Sequence, residues 1–132
     1  MIGEYLIKLL QDEAIGSNYY LNFQPESPND CITIYDETAP VLNSSHYFDN
    51  DHFGIQVLVR SVNSLTARDT LMEIHKFLAG FGGEKMSGDS PLIIDSQIVT
   101  TPAPIGADTR NRFEYSGHYA FMVKSENNTY RR

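Results

Sequence analysis

Asp51-His52-Phe53-Gly54-Ile55-Gln56-Val57-Leu58-Val59-Arg60-Ser61-Val62 is the stretch on which the fold turns. Phe53, Ile55, Val57 and Val59 alternate with Gly54, Gln56, Leu58 and Arg60. A period of two with β-branched and aromatic residues on one side predicts a strand with a strongly apolar face. Leu58 on the other side predicts partial cover there too, as for a central strand. Asn63 or Ser64 then offers a helix N-cap, whose oxygen can accept an otherwise orphaned N–H. Ala67, Leu71, Ile74, Leu78 and Phe81 follow at alternating steps of four and three, the stripe of an amphipathic helix. Gly80, Gly82 and Gly83 should stop it, because glycine tolerates left-handed backbone. A strand running into a helix supplies both layers of a small core.

Working outward, Ile2, Tyr5, Leu6, Leu9 and Leu10 form a second apolar stripe, predicting a short first helix closed near Gly16. Tyr19, Leu21 and Phe23 alternate with polar neighbours and predict a strand. Pro25-Glu26-Ser27-Pro28-Asn29-Asp30 must turn, since two prolines and Asn-Asp break any ladder. Cys31-Ile32-Thr33-Ile34-Tyr35 resumes as a strand, close enough in sequence to pair antiparallel with the one before it. Asp36 to Asp51 is expected to be a long polar connection, of a length that usually signals function or mobility. Beyond the second helix, Leu92 to Thr100 predicts a strand bulged around Asp95-Ser96. Pro102 to Asp108 is expected to be an extended loop, and Arg112 to Lys124 the longest strand.

The expected fold class is therefore α+β: a mainly antiparallel sheet of about five strands carrying two helices, in the order α-β-β-β-α-β-β. At 132 residues the chain is long enough for one domain, placed at residues 1–124. Residues 125–132 are polar and expected to form a mobile tail.

Ten Lys and Arg against seventeen Asp and Glu give a net charge of −7. Such a surface repels phosphates and argues against dedicated DNA binding. Asp36 to His52 carries four acids and no Lys or Arg, while the chain ends Arg131-Arg132. The one cysteine, Cys31, has no internal disulfide partner and sits in an apolar strand, where a small packed residue is the expectation. Met1-Ile2-Gly3-Glu4 has no basic segment or long apolar run, so no signal peptide is expected. No stretch approaches the roughly twenty apolar residues that span a bilayer.

Catalytic motifs are absent from the sequence. His46-Tyr47-Phe48-Asp49-Asn50-Asp51-His52 holds four residues of metal-ligand type, His46, Asp49, Asp51 and His52. Their spacing fits neither a helical pair nor an EF-hand, and a solvated loop is the simpler reading. His75 flanks the helix stripe and His118 lies on the polar side of the last strand. Gly80-Phe81-Gly82-Gly83-Glu84-Lys85 lacks the Gly-Lys-Ser/Thr of a phosphate loop. No cofactor is expected.

Pro28-Asn29-Asp30-Cys31-Ile32-Thr33-Ile34-Tyr35-Asp36 resembles a segment of the small minor capsid and tail-terminator proteins of long-tailed bacteriophages. Ile55 to Arg60 is similar to that family's strand before its second helix, and Asp108 to Ser116 to its final hairpin. The resemblance covers about residues 1–124, and departs from the pattern at Glu37-Thr38-Ala39-Pro40, where glycines would follow Tyr-Asp. It implies a structural protein, not an enzyme, whose copies close into a ring, of six subunits, capping the tail tube and joining it to the head. The implied partners are further copies of the chain, the tail tube protein and a head-completion or connector protein. DNA would slide through without tight binding, and no membrane is involved. The implied place is the head-proximal end of the virion tail, after synthesis in the host bacterial cytoplasm.

For contacts between subunits, the two irregular segments and the tail are the expected source. The candidate residues are Asp36, Glu37, Asp49, Asp51, Ile105, Asp108, Arg110, Arg131 and Arg132, the terminal arginines facing acids of a neighbour. Two rival readings are a metal-dependent hydrolase using the His46 to His52 loop, and a ligand-binding module with its pocket between sheet and helices.

Overall fold

Two helices lie on one face of a single mixed sheet in the computed structural model, which describes residues 3–37, 50–79, 84–85 and 92–124. In chain order the elements are α1 (Gly3–Asp12), β1 (Tyr19–Leu21), β2 (Cys31–Glu37), β3 (Asn50–Ser61), α2 (Ser64–Ala79), β4 (Glu84–Lys85), β5 (Leu92–Ala107) and β6 (Phe113–Lys124). The strands lie side by side as β1-β2-β3-β6-β5-β4. This is the expected α+β order, with the two-residue β4 added.

β3 is central, paired antiparallel with β2 and with the full length of β6. Its alternation sorts as the sequence predicts. Ile55, Val57 and Val59 join Ile32 and Ile34 of β2, Tyr119 and Phe121 of β6, and the stripes of both helices in one core. Leu6 and Leu10 come from α1, and Ala67, Leu71, Ile74 and Leu78 from α2. Gly54, Gln56, Leu58 and Arg60 turn to the opposite face, where Leu58 and Arg60 are buried as well. The N-cap of α2 is Asn63, whose Oδ1 accepts the N–H groups of Leu65 at 2.9 Å and Thr66 at 3.2 Å. α1 ends in a run containing left-handed Ala14 and Gly16. At Gly16 a Cβ would overlap the Ile32 side chain, so glycine alone closes this corner.

Gly117 matters for a different reason. Tyr119, two positions along the same face of β6, lays its ring over it, and a Cβ at Gly117 would stand 2.9 Å from the Tyr119 hydroxyl oxygen. That hydroxyl lies 2.8 Å from His75 Nδ1 on α2, and burial pushes it up to about 12. His75 is thereby a packed histidine bonded to the core.

Several expectations change; among them, β5 with sixteen residues, not β6 with twelve, is the longest described strand. β1 and β2 are parallel, with Tyr19 opposite Ile32 and Leu21 opposite Ile34, where an antiparallel pair was expected. No hairpin turn joins them. Asn22 takes φ +63°, its Oδ1 accepts the Asp36 N–H at 2.8 Å, and the chain then runs back across the sheet's second face. The segment expected as a loop at Pro102–Asp108 belongs to β5 as far as Ala107. Its prolines are compatible with a strand because β5 is an outer strand, where a missing N–H breaks no ladder on the free side. Register shifts occur between Thr100 and Ala103 and between Pro104 and Gly106, beside those prolines. The expected bulge near Asp95 is present between Ile93 and Asp95.

Candidate assembly surfaces

Among the described residues, the second face of the sheet divides into a covered half and an open half. The return segment Phe23–Asp30 covers the first, held by side chains that alternate away from the core. Arg60 donates from Nε to the Asn29 carbonyl at 3.1 Å and from Nη2 to the Pro28 carbonyl at 2.7 Å. Arg112 donates from Nη1 to the Glu26 carbonyl, and its Nε meets Asp108 Oδ2 at 2.8 Å. Gln24 donates to Glu114 Oε2 at 2.7 Å. Both guanidiniums are buried, at 2 % exposure, so several well-placed acceptors must offset their desolvation. Neither arginine was singled out in the sequence. The available signal was Arg60 itself, a charge embedded in the most apolar strand.

Cys31 lies under the same segment, and burial pushes its thiol up, with Arg60 and Arg112 pulling back in part. A packed, unreactive thiol is what this environment gives. On the open half, Tyr35, Gln56, Ser116 and His118 are half-buried, and His118 Nδ1 lies 2.8 Å from Glu37 Oε1.

Several of the sequence-derived interface residues have work inside the subunit. Asp36 Oδ1 accepts the Gly3 N–H at 2.9 Å at the start of α1, where a carboxylate also favours the helix dipole. Its Oδ2 takes a further bond from Asn22 at 3.3 Å. Glu37 is bonded to His118 as described. Asp108 organises the β5–β6 turn, accepting the N–H groups of Arg110 at 2.9 Å and Arg112 at 3.0 Å. Ile105 and Arg110 are exposed. Asp51 lies in β3, opposite Val123. Asp36, Glu37 and Asp51 are thus strand residues, not parts of the expected connection. Asp49, Arg131 and Arg132 lie outside the described residues, as do His46 of the metal candidate, the segment 38–49 and the tail 125–132. His52 is in β3, and among the described residues no three His, Cys, Asp or Glu group as ligands for a metal. No described helix is long and apolar enough to cross a membrane.

The turn supplies a pH prediction. The Arg112 N–H above all, then the Arg110 N–H and the Arg112 guanidinium, hold the Asp108 carboxyl below its ordinary value of 3.8. A lowered folded pKa gives stability that is fully present above the unfolded value and is lost as pH falls through the folded one. Asp108→Asn should therefore melt a few degrees below the parent at neutral pH, and the gap should close as pH drops below about 3.8. Melting curves from pH 7 to about 2 check this; a gap constant with pH would mean that the carboxylate charge is immaterial.

What the sequence missed, apart from Ile105, is an apolar fringe. Ile98, Val99 and Ile105 on β5, Phe113 at the start of β6, and Leu65 and Met72 on α2 are all exposed. α2 packs over β3, β6 and β5.

Two comparisons with known proteins complete the description. Among curated proteins none matches this chain. The family model described as bacteriophage tail terminator protein matches residues 6–124, which takes in α1 from Leu6 onward, the return segment, both long hairpin strands and the whole of the core. The chain belongs to the bacteriophage tail terminator protein family.

Proposed function

We propose that this chain stops growth of the tail tube by closing, as a ring of six copies, on its last layer, and that the ring then receives the head. The observation that carries the reading is the family match, which spans residues 6–124. The chain acts as a structural protein without catalysis, in one domain of residues 1–124 with the tail 125–132 attached. Its partners are the tail tube protein on one side and a head-completion or connector protein on the other. Its place is the head-proximal end of the virion tail, after synthesis in the host cytoplasm.

The charge supports this reading. A net charge of −7 disfavours tight phosphate binding, and a ring through which DNA slides must not grip it. Among the interface candidates whose burial is described, Ile105 and Arg110 are exposed. Arg131 and Arg132 would add pairs with a neighbour's acids worth about 0–1 kcal/mol each. Electron microscopy of tails assembled with and without the protein is the test. Overlong or ragged tails in its absence are expected; tails of unaltered length and normal head attachment would remove the reading.

A further inference from the structure

Beyond Ile93, where β4 ends its pairing, no described strand lies on the outer side of β5. From Ser96 to Ala107 β5 holds no ionisable residue, bracketed by Asp95 and Asp108. In a chain of net charge −7, twelve consecutive uncharged positions on one edge mark where a second acidic molecule can approach with least repulsion. The same edge carries Ile98, Val99 and Ile105 at 40, 44 and 56 % exposure. A free edge is ordinarily open to strand addition, but Pro102 and Pro104 offer no N–H there. Over that half of the edge, a partner must dock through side chains.

The other lateral edge of the sheet offers a counterpart. Phe23, just past β1, is 57 % exposed and stands edge-on to Tyr20, with ring centroids 5.6 Å apart. β1 and β5 are four strand spacings apart, about 19 Å at the usual separation. The aromatic corner and the β5 edge therefore cannot meet within one subunit. They can meet between two, and because they differ, the contact leaves one copy with a free corner and the other with a free edge. Repeated, such a contact closes into a ring or runs on as a filament.

We propose that the β5 edge, from Ile98 to Ile105, takes the Phe23–Tyr20 corner of a second copy of this chain. This rests on the ring reading above and names the surfaces that build it. Nucleic acid is a poor occupant of this edge, which has no cation to offer a phosphate.

The test uses two variants of the full chain, Ile98→Glu with Ile105→Glu for the edge and Phe23→Glu for the corner. Their solution masses are compared with that of the parent. The altered side chains are exposed, so melting should stay within a few degrees of the parent. The parent should be a closed oligomer and each variant alone a monomer. Mixed, the two should give dimers and no ring, because only one intact edge and one intact corner remain between them. Rings persisting in either variant, or rings formed by the mixture, would overturn the assignment. So would a parent that stays monomeric at every soluble concentration. As a check independent of disruption, Phe23→Cys with Ile105→Cys should give an intermolecular disulfide ladder on oxidation, since Cys31 is buried. An oligomer without that ladder would place the contact elsewhere. Variants that keep their rings and still end tails at normal length would sink these surfaces and leave the tail-terminator reading intact.

Discussion

Val57→Asp should leave no soluble folded protein. Val57 has no exposed surface, sits between Ile34 of β2 and Gly117 of β6, and points into the core beneath both helices. An aspartate there would bury a carboxylate beside a Tyr119 hydroxyl that is already bonded to His75. The protein could keep it ionised without a partner or protonate it, and both are costly. The penalty is several kcal/mol, of the order of the roughly 5–15 kcal/mol that holds a domain together. Soluble yield, circular dichroism and thermal melting would read the effect. A variant melting within a few degrees of the parent would mean that the face assignment of β3 is reversed.

Arg60→Ala should be the next most damaging change, by roughly 3–5 kcal/mol. It strips the Pro28 and Asn29 carbonyls of their guanidinium donors and leaves a cavity where a long buried side chain lay. Arg60→Met, which keeps much of the volume, should cost less, and the difference between the two isolates the packing share. Both should loosen the return segment 23–30, seen as faster amide exchange in that segment while β3 and α2 stay protected. Unchanged exchange there would show that the prolines and Arg112 hold the segment unaided.

The fold was legible wherever the pattern was strictly periodic. The alternation of Phe53 to Arg60 and the Ala67-Leu71-Ile74-Leu78 stripe are consequences of side-chain direction, and each residue of that stripe is fully buried. Strand direction at Tyr19–Leu21 was not legible, because local pattern says which residues alternate but not which way a three-residue strand runs. That direction depends on bonds made across the sheet by Arg60 and Arg112, far away in sequence. The β5 segment with its prolines was misjudged because proline excludes a central strand far more firmly than an outer one, and the strand's position is a property of the whole sheet. Apart from Ile105, the interface candidates were charged residues on polar segments. Asp36 and Asp108 satisfy that description yet spend their carboxylates on Gly3 and on Arg110 and Arg112. The exposed Ile98 and Val99 were invisible because an apolar pair in a strand looks like core until its neighbours are known.

The unequal lengths of β5 and β6 bear on how this chain can vary in length. Ile93 to Ala107 takes fourteen steps against ten from Phe113 to Val123, so four residues of β5 are surplus, taken up at four register shifts. Each shift is a place where one residue more or fewer can be absorbed without moving the rest of the strand. β3 has no such slack: all twelve of its residues pair one-to-one with β6. An insertion of one residue in its middle would send every side chain beyond it to the wrong face. Changes in chain length among relatives should therefore collect along the outer strand, and the central one should be conserved in length even where its residues differ.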